Sequence, residues 1–314
     1  MQNTKLTKKG KKMIKKPKNR LREWFDTLFY GILIAIGFRS LFLEPFNIPS
    51  GSMIPTLHIG DHIFITKWSY GYSRYSFPFG SWHLWNGRIF KNMPKRGDVI
   101  VFRNPKDESL DYVKRLVGLP GDTIQMREGR LYINGEIVER KDPRPYVIAV
   151  LPRSKRSSGV FLGNMKILGN KLFVGDSPAD FNYTIQYIPD KYCINFDKCN
   201  YDNNCPIQAC GIHKLTEYIE VLPNGVEHSI IEHTDDGPLD NTMEFLVPEN
   251  HLFFMGDDRD NSNDSRDKLG FVPVDNVLGR VWFVWYSHNY ASPMVAFWNW
   301  NAKMRWNRFG KGIN

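Results

Sequence analysis

The strongest constraint on this chain is a junction near residue 22, where a run of basic residues gives way to apolar ones. Residues 1–22 hold eight lysines, two arginines and no acidic residue, a charge of +10. The whole chain of 314 residues carries +9, so the remainder sums to −1 and its surface is close to neutral. A basic arm can bind nucleic acid, but this one stops where the apolar stretch starts. That is the pattern of the cytoplasmic flank of a membrane anchor, because short segments rich in Lys and Arg stay inside. The expected partner of the arm is a lipid bilayer, with no nucleic acid.

The uncharged core of the stretch, Thr27 to Phe38, is 12 residues, the length of a signal-peptide core. Taken from Trp24 to Leu43 it reaches 20 residues, about 30 Å of helix, enough to cross a bilayer. Asp26 and Arg39 then fall towards opposite ends, and Trp24 sits where an interfacial aromatic belongs. No small-x-small cleavage site follows. The expectation is an uncleaved transmembrane helix over 23–44, with the amino terminus inside and everything from about Glu44 outside.

All four cysteines, Cys193, Cys199, Cys205 and Cys210, lie within 18 residues. Their spacing lacks the CxxC of structural zinc sites, and no HxxxH partner is near. In an exported segment an even count favours disulfides, two bridges in one of three pairings.

Beyond the anchor the chain reads as short strands and turns. Asp98–Phe102, Tyr112–Val117 and Gly279–Tyr286 are apolar, β-branched runs. Leu119-Pro120-Gly121-Asp122 suits a type II turn, and Asn134-Gly135 a tight hairpin turn between Arg130–Ile133 and Glu136–Val138. Residues 139–244 are richer in Asn, Asp, Pro and Gly and hold the cysteines. The expected architecture is mainly β: an arm (1–22), a transmembrane helix (23–44), and an all-β exported catalytic domain in two parts (45–138 and 245–290). An inserted β-rich subdomain (139–244) separates those parts, and an aromatic and basic tail (291–314) follows. Aromatic residues concentrate around Trp68 to Phe90 and again in the tail, where bilayer contact and core packing are equally expected.

Chemistry is carried first by Ile48-Pro49-Ser50-Gly51-Ser52-Met53. Two prolines restrict a Gly-containing turn and present Ser52, nine residues beyond the anchor. A serine hydroxyl needs a base. The histidines offer neither a GxSxG elbow nor an Asp-His-Ser order, which leaves a neutral lysine. Bringing a lysine from about 10.4 to near 7 costs about 4 kcal/mol, which burial can supply. On a strand, Tyr112, Lys114 and Leu116 share one face while Arg115 points to the other, so Lys114 is the candidate base.

Ser-Gly-Ser-Met at 50–53, Lys-Arg-Gly-Asp-Val at 95–99, Tyr-Val-Lys-Arg-Leu-Val-Gly-Leu-Pro-Gly-Asp at 112–122 and Gly-Asp-Asp-Arg-Asp-Asn-Ser-Asn-Asp-Ser-Arg at 256–266 resemble, in order, the boxes of the type I signal peptidases, serine–lysine enzymes of the bacterial inner membrane. The resemblance implies an endopeptidase that cuts preprotein signal peptides, with Ser52 as nucleophile, Lys114 as general base and Ser50 as an oxyanion donor. It also implies that Ser262 hydrogen-bonds the lysine amine, that Asp264 and Arg266 form a supporting ion pair, and that Ile48, Met53, Tyr112 and Val113 line the substrate pockets. Asp258 departs from the asparagine more usual there. No metal and no cofactor is implied. Asp258, Asp260, Ser262 and Asp264 alternate like a calcium loop, but Asn263 and Leu269 occupy the positions that need Gly and Glu. The alternatives are a dedicated maturation peptidase of a conjugation or pilus system, a self-cleaving repressor, which the anchor disfavours, and an inactive envelope scaffold.

Overall fold

The computed structural model describes residues 20–76, 87–152, 155, 159–162, 165–169, 171–188, 211–288 and 304–313. The cysteine cluster, most of the aromatic tail and part of the Trp68–Phe90 region lie outside these residues. Two compact units divide the chain at residues 39 and 40.

The described residues begin with helix α1, Arg20–Leu41, whose segment Arg22–Leu41 is long and apolar enough to cross a membrane. Trp24, Phe29, Leu33, Ile34 and Phe38 are all exposed along it, as expected of a helix meant for lipid. The helix stops short of the expected residue 44. Proline at 45 disfavours helical backbone at Glu44, and Leu43–Asn47 instead forms strand β1.

The second unit is built on strands. After β1 come β2 (Asp61–Thr66), β3 (Val99–Arg103) and β4 (Asp111–Gly118). A small ladder follows, β5 (Thr123–Arg127), β6 (Arg130–Ile133) and β7 (Glu136–Ile137). The long β8 (Glu139–Pro152) opens the region expected as an insertion. It continues with β9 (Val160–Leu162), β10 (Met165–Leu168), β11 (Lys171–Val174), β12 (Ser177–Pro178), β13 (Asn182–Ile188), β14 (Gly211–Val221) and β15 (Glu227–Glu232). The chain then returns through β16 (Phe245–Leu246), β17 (His251–Met255), β18 (Val272–Pro273), β19 (Val277–Ser287) and β20 (Lys311–Gly312).

The main sheet has the order β1-β2-β19-β3-β4-β17-β18, with β20 also paired to β19. Strands distant in sequence meet here, and that is what assembles the site. The expected strands fall where the apolar runs put them, and Asn134 and Gly135 take the positive φ values, 55° and 80°, that a primed hairpin turn requires. Gly121, with φ 86°, occupies the left-handed position of the expected type II turn. Residues 139–232 form two four-stranded sheets of their own, β13-β8-β14-β15 and β12-β11-β10-β9. Their core of Tyr146–Leu151, Ile185 and Tyr187 also takes in Ile54 from the serine turn. The main sheet packs around Ile63, Ile65, Val99, Val101, Leu278 and Val281 on one side and around Ile100, Phe102, Leu116 and Phe254 on the other.

Candidate active site

Ser52 lies in the turn that links β1 to β2. Ile48 N donates to Asp61 O (2.8 Å) and Gly60 N to Ile48 O (2.9 Å), so the ladder extends to the base of the turn and fixes both ends. Ile54 N donates to Gly51 O and Leu57 N to Met53 O, which coils the segment tightly. Met53 and Leu57 are fully buried, each contributing about 1.5–3 kcal/mol of apolar burial that holds the turn down on the sheet. Ser52 itself is buried, while Ser50 is exposed.

Lys114 occupies the middle of β4, paired with Ile100 of β3, and is buried. Its Nζ donates to Ser52 Oγ across 62 residues of sequence. Burial lowers the amine from 10.5 to about 8; Asp264, Asp257 and Asp258 pull it back up and Arg266 lowers it further. The Tyr112 ring stands 6.0 Å from the amine on the same strand face.

The third part is the segment 256–266, which leaves the end of β17. Because Phe254 pairs with Leu116 and Met255 with Arg115, the strand delivers the segment beside Lys114. The two ends of the site then touch: Asp258 N donates to Ser52 O at 3.2 Å. Gly256 is needed for the approach. A Cβ there would collide with Ser262 Oγ and stand 2.6 Å from the Ser52 carbonyl oxygen.

Three buried ion pairs brace this segment. Arg266 donates Nε to Asp264 Oδ1 (3.0 Å) and Nη2 to Oδ2 (2.9 Å), while Gly256 N donates to Asp264 Oδ2 (3.0 Å). Arg115 grips Asp257 through Nε to Oδ1 (2.8 Å) and Nη2 to Oδ2 (2.7 Å). Arg259 reaches Glu220 of β14 with both guanidinium nitrogens. Arg266 holds the Asp264 carboxyl below its usual range, and Arg115 does the same for Asp257, although burial opposes both.

Several expectations meet a different arrangement. Ser262 Oγ is buried without a hydrogen-bond partner among the described residues, so the expected bond to the lysine amine is not made; the amine is directed at Ser52 instead. Ile48 and Met53 are core residues of the main sheet, with Val113 packed against them. Tyr112, by contrast, lines a cavity of about 410 Å³ together with Pro49, Ser50, Ser52 and Lys114. Ile148 and Val150 of β8 and Gln186 of β13 form part of its wall, so the expected insertion faces the reactive pair. Sequence reasoning missed this wall because strand pairing between β8 and β13 is parallel and non-local.

The described part of the tail holds Arg305 and Arg308, in a region where bilayer contact and core packing are equally expected. Both are ion-paired with Asp61: Arg308 Nε stands 3.0 Å from Oδ1, and Arg305 Nη2 3.3 Å from the same atom. Trp306 and Phe309 beside them are exposed. Arg115, Asp257 and Arg259 lie in the boxes that carry the resemblance but receive no role from it, and Glu220 has no sequence signal beyond its charge.

A further acidic group, Glu232, Asp240 and Asp260, brings carboxylate oxygens within 4.8 Å of one another. Arg140 Nη2 stands 3.2 Å from Glu232 Oε2, and burial pushes Glu232 up to about 8. The arginine balances part of this charge, and burial makes Glu232 hold its proton more readily than an ordinary carboxyl.

Residues 21–286 match the family model described as signal peptidase, peptidase S26. The signal peptidase I of Rickettsia prowazekii (strain Madrid E) is 35% identical over 268 residues, which cover 85% of this chain and 81% of that protein. That of Rickettsia conorii (strain ATCC VR-613 / Malish 7) is 36% identical over 271 residues, covering 86% and 81%. A solved signal peptidase I from Enterococcus faecalis V583 is 22% identical and covers 60% of this chain and 97% of that one, with a TM-score of 0.26, too little overlap to bear on the fold.

Proposed function

Since the chain belongs to the signal peptidase family, peptidase S26, and is a peptidase that removes signal peptides, we propose that Ser52 is its nucleophile and Lys114 its general base. The observation that carries this reading is the buried lysine amine bonded to the serine hydroxyl, with its pKa lowered to about 8. At that value a useful fraction is neutral near pH 7, and the lone pair can accept the hydroxyl proton.

Ser52 Oγ attacks the carbonyl carbon before the scissile bond as its proton passes to Lys114 Nζ. The oxyanion is held by the Ser52 N–H and the Ser50 hydroxyl, a donor typically worth about 3 kcal/mol in the transition state. Collapse breaks the C–N bond, and Lys114 returns the proton to the departing amine, leaving an ester on Ser52. A water then gives its proton to Lys114 and attacks the ester, which releases the signal peptide and restores the hydroxyl. Asp264 and Arg266, joined to each other by two hydrogen bonds, keep the segment beside the amine with their charges opposed. Ser262, whose hydroxyl is buried beside Gly256 without a partner among the described residues, is the proposed supporting residue for the amine.

The substrate lies extended in the cavity, against Tyr112 of β4, whereas Ile48, Met53 and Val113 pack in the core of the main sheet. Ile148, Val150 and Gln186 face it from the other side. Helix α1 holds the enzyme in the bacterial inner membrane as a single pass, with the basic arm cytoplasmic and the catalytic domain outside. Phe42, which follows α1 in sequence, is exposed and stacks edge-on with Trp68, which meets Trp282 in turn; this exposed row suits the headgroup layer. The signal peptidase I relatives lend no support to a pilus or conjugation enzyme or to an inactive scaffold.

The test is cleavage of a preprotein by the full chain in detergent or vesicles. Ser52→Ala and Lys114→Met should each abolish it. Full activity in either variant would remove that residue from the mechanism.

A further inference from the structure

Asp258 joins the nucleophile's backbone to the electrostatics of the base. Its amide donates to the Ser52 carbonyl, and its carboxylate is fully buried one residue beyond the Arg115–Asp257 pair. The carboxylate has two donors: His233 Nε2 stands 3.0 Å from Oδ1, and Asn261 Nδ2 stands 3.3 Å from Oδ2. His233 is itself fixed, because it follows β15 directly and its amide donates to Asp260 Oδ2 at 2.9 Å. Backbone bonds lock the two elements together, Ile231 N to Asp257 O (2.9 Å) and Arg259 N to Ile231 O (3.1 Å).

The charges facing Lys114 are Asp264, Asp257, Asp258 and Arg266. Asp264 has Arg266 against it, and Asp257 has Arg115. Asp258 instead has an imidazole and an amide, with the Asp260 carboxylate nearby raising it further. Asp258 thus has neutral donors where the other two have arginines, and in a buried site the charge it carries acts on the neighbouring amine after those of Asp264 and Asp257.

We propose that Asp258, held by His233, is a positioning residue for this reaction: it fixes the Ser52 backbone through its amide and sets the basicity of Lys114 through its carboxylate. The bond from His233 supports this role, because it favours the ionised form of a carboxyl that burial otherwise pushes up. The inference rests on Lys114 being the base.

The experiment is the pH profile of preprotein cleavage by the full chain. Asp258→Asn keeps the shape and still accepts from His233 but removes the charge. It should move the limb on which kcat/KM rises with pH to lower pH by about half a unit or more. His233→Leu, which leaves the carboxylate without its ring donor, should lower kcat about tenfold with KM little changed, and His233→Gln, which can donate again, should recover most of it. A limb that coincides with the wild-type one in Asp258→Asn overturns the electrostatic part. If Asp258→Asn does not fold, equal kcat in His233→Leu and His233→Gln overturns the proposal by itself. Ser52→Ala and Lys114→Met are measured alongside. Residual cleavage in either sinks the serine–lysine reading, whereas its loss in both with an unmoved limb sinks the Asp258 inference alone.

Discussion

Lys114 and Arg115 are consecutive and both buried, yet only the arginine has a carboxylate in ion-pair contact among the described residues. The pleat of β4 sends them to opposite faces. On one, Arg115 closes a two-pronged pair with Asp257; on the other, Lys114 meets a neutral hydroxyl. A lysine so placed relieves its burial by giving up its proton, while an arginine cannot and must be paired.

The pH dependence of cleavage follows. With the amine at about 8, activity should rise roughly tenfold per pH unit below that value and level off above it, as the neutral form fills. Initial rates of preprotein cleavage from pH 6 to 10 would measure this. A rise still under way at pH 10 would mean an unperturbed amine.

Lys114→Met should abolish cleavage and stabilise the fold. A folded pKa below the unfolded value means that the folded state pays for the charge at neutral pH, and that stability rises with pH between about 8 and 10.5. The cost removed is about 3 kcal/mol, less the bond to Ser52, so a gain of about 1–3 kcal/mol at pH 7 is expected in denaturant unfolding. Lost stability would indicate that the amine is not starved of water.

Arg115→Met strands the Asp257 carboxylate in the interior and should cost about 3–5 kcal/mol, whereas Arg115→Met with Asp257→Leu should recover much of the loss. Thermal unfolding of the three proteins compares them directly. Equal stability of single and double variants would deny the coupling.

Asp61 anchors the carboxy-terminal segment through Arg308 and Arg305, and these arginines lower it to about 2 against the opposing effect of burial. A depressed carboxylate contributes stability that is present above about 4 and lost as pH falls towards 2. Arg308→Met should therefore lose about 2 kcal/mol at pH 7 and show a shallower acid transition. Unfolding at pH 7, 4 and 2.5 would reveal an unchanged slope if the pair were irrelevant.

Gln186→Ala should raise KM for a preprotein several-fold with little change in kcat, because Gln186 faces the cavity from β13 without touching the reacting pair. Steady-state kinetics would decide, and a fall in kcat alone would contradict a binding role.

The basic arm, the apolar run, the short β-branched strands and the Asn134-Gly135 turn are all local signals, so residue order alone dictates them. The same holds for Lys114, since the strand period puts it among Tyr112 and Leu116 on one face. Contacts made across the sheet are another matter. That Arg115 is buried as well, that Asp258 touches Ser52, that Arg308 belongs to Asp61 and that Gln186 of the insertion walls the cavity all depend on which distant strands become neighbours. Tertiary packing decides these, because burial and the pairing of a charge are properties of the space around a residue, and that space is filled by chain as far as 252 residues away.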